Sequence, residues 1–355
     1  MKRKDDKGCL KVRSTHKYRI LLIFTISILL FGCFEPWYPI VEDWLCTINI
    51  NGTSLKYVRE DHGYFFQSPD FQTLLEFWNN KIYSVDINNP LYKTLLIDFG
   101  VEPLYEIDYS YFSNTMLTYR HDREIYTLDI NSKDTTRLTF NGEEMVNWAP
   151  TISYDETLIA YSTSILDSQA TIVLMNSDGT DKRTIVEYSA VDTSSHYTST
   201  IVLWNLRFVR NDSILIYIFS GTTNIQFPNG IYSVSIDGSD KHCIYEDVDL
   251  YYYEISPNRE FIFFIGNGYL HRINIDGSDH LLLAETLTRD IYPCVSPNGE
   301  KLFYTSDCFP YIINIDGTNN YKLLDKQTLW TLTFGKTVFF LNDSKILIEL
   351  FKQIN

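Results

Sequence analysis

The chain has 355 residues, 45% of them hydrophobic and 15% aromatic, with 26 Tyr and 22 Phe, and a formal net charge of −15. That length exceeds one small domain unless a repeat builds a single large architecture, and the wealth of aromatics leans toward strands. The acidic balance repels phosphate backbones and argues against nucleic acid as a partner.

The charge is unevenly placed. Residues 1–19 carry eight Lys/Arg against two Asp, and residues 20–32, "ILLIFTISILLFG", are apolar and uncharged. Thirteen residues fall short of the roughly 20 that span a bilayer as a helix. A basic segment, a short apolar run and a small residue before a cut read as a secretory signal over 1–33. An uncleaved signal anchor is the alternative. "LFGC" at 30–33 resembles the lipobox of bacterial lipoproteins, which implies acylation of Cys33 and a membrane attachment through the lipid. Phe34, where that family's sorting signal has Asp, then favours the outer membrane of a Gram-negative cell. A short linker, 34–44, leads to a single domain over 45–355. Without residues 1–33, 22 Lys/Arg face 43 Asp/Glu, a net of −21.

Two phrases alternate along that domain. The first is a strand followed by an Asp-Gly-type turn: "LCTINING" (45–52), "IYSVDINN" (82–89), "IYTLDINS" (125–132), "IVLMNSDG" (172–179), "IYSVSIDG" (231–238), "LHRINIDG" (270–277) and "PYIINIDG" (310–317). The turn residues, from Asn51 to Asp316, are spaced 37, 43, 47, 59, 39 and 40 apart, a period near forty. The second phrase is clearest in "ISPNREFIFF" (255–264) and "VSPNGEKLFY" (295–304), with weaker copies at 67–76, 111–119, 152–161, 208–217 and 340–348. Each pair of phrases supplies two hairpins and four strands. The chain opens on a lone hairpin of the first kind and closes on a lone hairpin of the second. Two half-blades at opposite ends complete one blade when a ring closes, which removes the exposed sheet edges. The expected fold is therefore all-β, a seven-bladed β-propeller of four-stranded antiparallel blades whose closing blade is split between the N- and C-terminal hairpins. The alternation resembles the WD-like repeat of TolB-type proteins, and that resemblance implies an extracytoplasmic protein-binding propeller.

Asp178-Gly179, Asp237-Gly238, Asp276-Gly277 and Asp316-Gly317 read as structural turns, because both residues of a tight two-residue turn take positive φ cheaply. A calcium loop is the competing reading, but it requires oxygen ligands at alternate positions. The residue two before each Asp is Asn176, Ser235, Asn274 or Asn314, none a carboxylate. No metal and no cofactor is expected.

Binding is expected on the crossover face, opposite these turns, where loops on a rigid scaffold are long. Two crossovers, 187–205 and 219–230, stand out. Trp148, His196, Tyr197, Trp204, Phe227, Tyr251, Tyr252, Tyr253 and Trp330 cluster in these and neighbouring segments. Aromatics of this kind suit an envelope protein partner, with a peptide or a glycan as the alternative ligand. No catalytic residue is assigned: there is no G-x-S-x-G elbow and no HExxH, and His62, His121, His196, His242, His271 and His280 are scattered. His271 and His280 flank one Asp-Gly turn and are expected at the surface. Asp247 and Asp249 form the best local acidic pair. A metal-dependent polysaccharide lyase, a chemistry some seven-bladed propellers host, is the remaining alternative. Cys46, Cys243, Cys294 and Cys308 show no zinc spacing, and a hairpin centred near Asn298 would place Cys294 opposite about residue 303 rather than Cys308, so no disulfide is assigned.

Overall fold

The computed structural model describes residues 40–60, 63–68, 70–100, 111–113, 115–140, 146–165, 169–189, 201–221, 227–247, 250, 252–286, 293–306, 309–324, 330–331 and 338–354. The lipid candidate Cys33 with its signal segment, and His62, His196, Tyr197, Asp249, Tyr251 and Cys308, lie outside them. Val41–Ile354 forms one compact unit of seven antiparallel sheets, a seven-bladed β-propeller.

Six blades are consecutive four-stranded meanders, which we number 1 to 6: Tyr64–Asp98, Tyr111–Arg137, Val146–Ser189, Ile201–Glu246, Tyr253–Glu285 and Cys294–Lys322. Blade 7 is assembled from both ends. The N-terminal strands Ile40–Asn49 and Lys56–Arg59 form its outer half, and Ile40–Asn49 pairs with the last strand, Lys345–Ile354. On the inner side, that last strand pairs with two pieces, Trp330–Thr331 and Val338–Asn342. The split expected from the order of the phrases is thus present, with the innermost strand itself in two parts.

Strand sequences show why the blades stack. Strands that lie between two neighbours are buried on both faces and read as nearly continuous apolar runs. In the second strand of blade 4, Ile214–Gly221, Leu215, Tyr217 and Phe219 pack toward blade 3. The alternate residues Ile216 and Ile218 pack toward blade 5. Among the described residues, each of the seven joints between adjacent blades holds one such apolar cluster. First strands of successive blades touch one another around the ring, so the first strand of each blade is innermost.

The Asp-Gly turns are not the two-residue turns expected. Asn176 N–H bonds Thr180 O (2.9 Å) and Gly179 N–H bonds Asn176 O (2.9 Å), so the loop has three residues. Only its glycine takes positive φ, 85° at Gly179; this is a type I turn closed by a glycine bulge. The Asp works through its side chain. Asp178 Oδ1 accepts from the Thr180 N–H (2.9 Å) and hydroxyl (2.6 Å), and Asp237, Asp276 and Asp316 repeat the arrangement. These bonds hold all four carboxyls below their ordinary range. Cys294 faces Phe303 across its hairpin, and Cys46, Cys243 and Cys294 are free thiols.

Ring closure has a dedicated polar latch. Arg59, on the outermost strand of blade 7, donates to Glu76 on the second strand of blade 1 (2.6 Å). Lys93 (3.1 Å) and the Gly63 N–H (3.0 Å) complete the shell of this fully buried carboxylate. Removing one partner of a buried ion cluster strands the others and typically costs about 3–5 kcal/mol. Glu76→Ala is therefore expected to lower stability by about 3–5 kcal/mol in a urea titration. Asp98→Ala, which removes the exposed pair with Lys81, is expected to leave the midpoint nearly unchanged.

Candidate functional site

In a four-stranded meander the first and third hairpin turns share one face. The second turn and the crossover to the next blade share the other. The "SPN" and Asp-Gly turns thus occupy a turn face, opposite the crossover face.

On the crossover face, Trp148 sits at a bulge in the first strand of blade 3, where the register slips between Trp148 and Thr151 and Ala149 takes φ 45°. Its indole is 37% exposed. The guanidinium of Arg120, from blade 2, lies 3.9 Å from the ring centroid, and the indole N–H donates to Ser164 Oγ (3.2 Å). Arg120 is itself buried. The tryptophan is therefore an exposed ring clamped by a cation on one face and a hydrogen bond at its edge.

Trp204 occupies the equivalent bulge of blade 4, with Asn205 at φ 51°. It is half-buried and packs against the apolar clusters on both sides of its blade. Phe227 is 38% exposed and packs edge-on against Tyr188 (5.0 Å), with Lys241 Nζ 4.3 Å from the Tyr188 ring and 5.1 Å from its own. Burial in that contact lowers the lysine's pKa. Tyr253 is withdrawn from any surface: it is fully buried, and its hydroxyl donates between the carbonyls of Asn205 (2.5 Å) and Ile216 (2.9 Å), tying blade 5 to blade 4. Trp330 lies on the short inner strand of blade 7. Among the exposed rings that the sequence reading did not name is Phe140, 71% exposed, with Arg137 stacked at 4.6 Å.

Tyr252 belongs to a different group, at the inner edge of the ring. Its hydroxyl donates to Glu254 Oε2 (2.5 Å), and Arg207, from the first strand of blade 4, neighbours both. Cys294, from the first strand of blade 6, lies close enough to feel the Glu254 charge. These side chains retain partial solvent access although protein surrounds them, as expected of groups lining a narrow channel. Burial dominates the electrostatics. It raises the Glu254 carboxyl, with Arg207 pulling in the opposite direction, and it pushes the Tyr252 hydroxyl well above its usual range. It also raises the Cys294 thiol, which makes that sulfur a poor nucleophile. Arg207 and Glu254 were missed by the sequence reading. Their signal was a single charge in each of "NLRFV" and "YYEIS", both otherwise inner-strand patterns.

The histidine pair departs from expectation. His280 is exposed, but His271 is only 2% exposed, within blade 5. Its Nε2 donates to Gly266 O (2.8 Å), its Nδ1 accepts from His280 Nε2 (2.7 Å), and its ring stacks on Phe264 at 4.7 Å. Asp247 is buried nearby and raises the imidazole pKa less than burial lowers it. Among the described residues, no group of three or more His, Cys, Asp or Glu is arranged to hold a metal ion.

No protein-family model and no curated protein matches the chain. Solved structures do. An oligogalacturonate lyase in complex with manganese is 13% identical with a TM-score of 0.58, over 83% of this chain and 90% of that one. An oligogalacturonate lyase from Vibrio parahaemolyticus is 11% identical with a TM-score of 0.57, over 87% and 91%. A putative TolB from Agrobacterium tumefaciens is 16% identical with a TM-score of 0.47, over 89% and 99%. At these identities the likeness is one of fold.

Burial holds His271 below the ordinary 6.5 of a histidine. As pH falls through 6.5 the unfolded chain binds a proton that the native state refuses, so native stability is complete above that value and declines below it. The melting temperature is expected to drop between pH 7.5 and 5.5, and His271→Gln, which keeps a donor for Gly266 O, is expected to flatten that slope.

Proposed function

We propose that this chain is a lipid-anchored, extracytoplasmic binding propeller that holds a protein partner in the cell envelope through its crossover face, without catalysis of its own. The observation that carries the reading is the clamped indole of Trp148. An exposed tryptophan fixed before binding costs little further entropy when a partner covers it, and aromatic anchors of this kind dominate the energetics of interfaces. Phe140 and Phe227, each exposed beside a cation, extend the same face. The TolB-type alternation of turn phrases supports an envelope protein, as does the signal-like segment ending at Cys33. The surface net of −21 beyond that segment disfavours nucleic acid.

Two experiments test this. Affinity capture from a detergent-solubilised envelope, with the full chain and a Trp148→Ala/Phe227→Ala variant as baits, is expected to yield a stoichiometric protein with the first and to lose it with the second. Capture of no partner, or of the same partner by both baits, overturns the interface. Cys33→Ala is expected to abolish metabolic labelling with a fatty acid, and persistent labelling overturns the anchor.

A further inference from the structure

The histidine pair of blade 5 is aligned more strictly than a hydrogen bond requires. His271, on the third strand, and His280, just before the fourth, bring Nδ1 and Nε2 to 2.7 Å. Their ring centroids are 5.0 Å apart and their planes only 11° from parallel. That centroid separation is the N···N distance plus one ring radius at each end. The rings therefore lie head to head in nearly one plane, and the lone-pair axes of the two nitrogens fall on one line. His271 is locked in this pose. Its Nε2–H donates to Gly266 O (2.8 Å), which leaves Nδ1 as the basic nitrogen, and Phe264 stacks on its face at 4.7 Å and 5°. A bond from the far nitrogen to a carbonyl is the arrangement that orients metal-ligating histidines. His280, by contrast, stands exposed at the rim.

The line between the nitrogens is held by the His280 Nε2–H. Moving that proton to Nδ1 of the same exposed ring changes no charge and frees both lone pairs. The ion that then fits is set by the ligand count. Among the described residues no third His, Cys, Asp or Glu joins the pair as a ligand group. Zn(II) takes four ligands in a tetrahedron and Cu(II) a square of them, so either would be left half-held. A monovalent ion with a filled d shell, Cu(I) or Ag(I), takes two ligands in line. With metal–nitrogen bonds of about 2.0 Å the nitrogens stand about 4 Å apart, so His280 has to withdraw outward by roughly 1.3 Å. The surroundings suit a soft cation. The polarisable ring of Tyr245, from blade 4, has its centroid 5.2 Å from that of His271 and 5.5 Å from that of His280. Asp247, buried beside His271, compensates an added positive charge.

We propose that His271 and His280 form a linear two-coordinate site for a monovalent soft cation, Cu(I) or Ag(I), on the side of blade 5 that faces blade 4, independently of the partner on the crossover face. His271 Nδ1 is the fixed ligand. His280 Nε2 is the mobile one, which admits the ion from solvent and closes on it. Binding releases no proton, because the His280 proton stays on the ring at Nδ1, and it transfers no electron. The net of −21 beyond residue 33 draws cations toward the domain.

The test is an anaerobic titration of the purified full chain with Cu(I) in competition with ferrozine, a weak chromophoric chelator, after accessible thiols have been capped with iodoacetamide. One equivalent is expected to pass to the protein, and X-ray absorption is expected to show two nitrogen neighbours in line around the ion. Zn(II) at the same concentration is not expected to displace it. Affinity is expected to fall at least tenfold in His280→Ala and in His271→Gln. His280 is exposed, so the melting temperature of metal-free His280→Ala is expected to stay near the wild-type value. His242→Ala, which changes an exposed histidine outside the pair, is expected to bind normally. Absence of binding, an equivalent retained in folded His280→Ala, sulfur neighbours around the ion, or displacement by Zn(II) overturns the proposal.

Discussion

The constraint on which this structure depends is that its sheets are apolar on both faces. A sheet with one apolar face can fold against a single partner, but one such as blade 4 must be covered twice. Leu215 and Phe219 require blade 3, whereas Ile216 and Ile218 require blade 5. No linear stack satisfies this, because its terminal sheets would each expose an apolar face. Closing the ring is the solution, and the apolar cluster found at each joint follows from it. Closure is also where the ring is weakest in covalent terms, since only hydrogen bonds and packing join the two chain ends within blade 7. The strand Ile40–Asn49 beside the last strand, and Arg59 reaching the fully buried Glu76, reinforce that seam.

Packing alone would leave neighbouring blades free to slide, and the turn face supplies the register. Repeatedly, a carboxylate in one blade's turn caps the turn of the blade before it. Glu156 accepts from Ser113 Oγ and from the Thr115 N–H (3.1 Å), Asp212 from the Asp155 N–H, and Asp343 from the Asn298 N–H (2.9 Å). The Asp-Gly turns lean on the preceding blade in the same direction. A Cβ added at Gly52 would meet the Leu323 carbonyl at 2.5 Å, and one at Gly238 would meet the Ile185 carbonyl at 3.2 Å. Glycine is therefore fixed at Gly52 twice over, by its φ of 79° and by this close approach. The degenerate copy "FLNDSKILI" lacks the Ser-Pro but carries Asp343, whose carboxylate serves the neighbouring blade.

This division explains what was legible in the sequence. Hairpin phase, period and the order of half-blades are local properties, and they sufficed for the blade count, the split closing blade and the pairing of Cys294 with Phe303. The turn class was misread because Asp-Gly fits both a two-residue loop and a type I turn with a glycine bulge. The deciding interaction is the carboxylate on the following Thr or Ser, which the dipeptide alone does not display. His271 was misplaced for a related reason. Its distance from the turn suggested the surface, but its position on the third strand of blade 5 put the ring between Phe264 and His280. Arg207 and Glu254 went unnoticed because their meeting depends on which residues of two separate first strands share the inner edge, a tertiary fact that neither repeat contains.

Trp148 and Trp204 show what the repeat leaves undetermined. They occupy the same position on the same bulge, each with a left-handed residue after it, yet one is clamped in the open by Arg120 and the other is packed into two cores. Their difference comes entirely from what the neighbouring blades present. Blade 4 departs from the pattern most, with Val209 for the turn serine, Arg207 at the inner edge and Phe227 on its second turn. The symmetric part of a propeller satisfies the demand for coverage and is silent about ligands. Where blade 4 has Val209 for the turn serine, the Ser213 hydroxyl on the Arg210 carbonyl (2.6 Å) and Asp212 on the Asp155 N–H (3.1 Å) hold the turn instead.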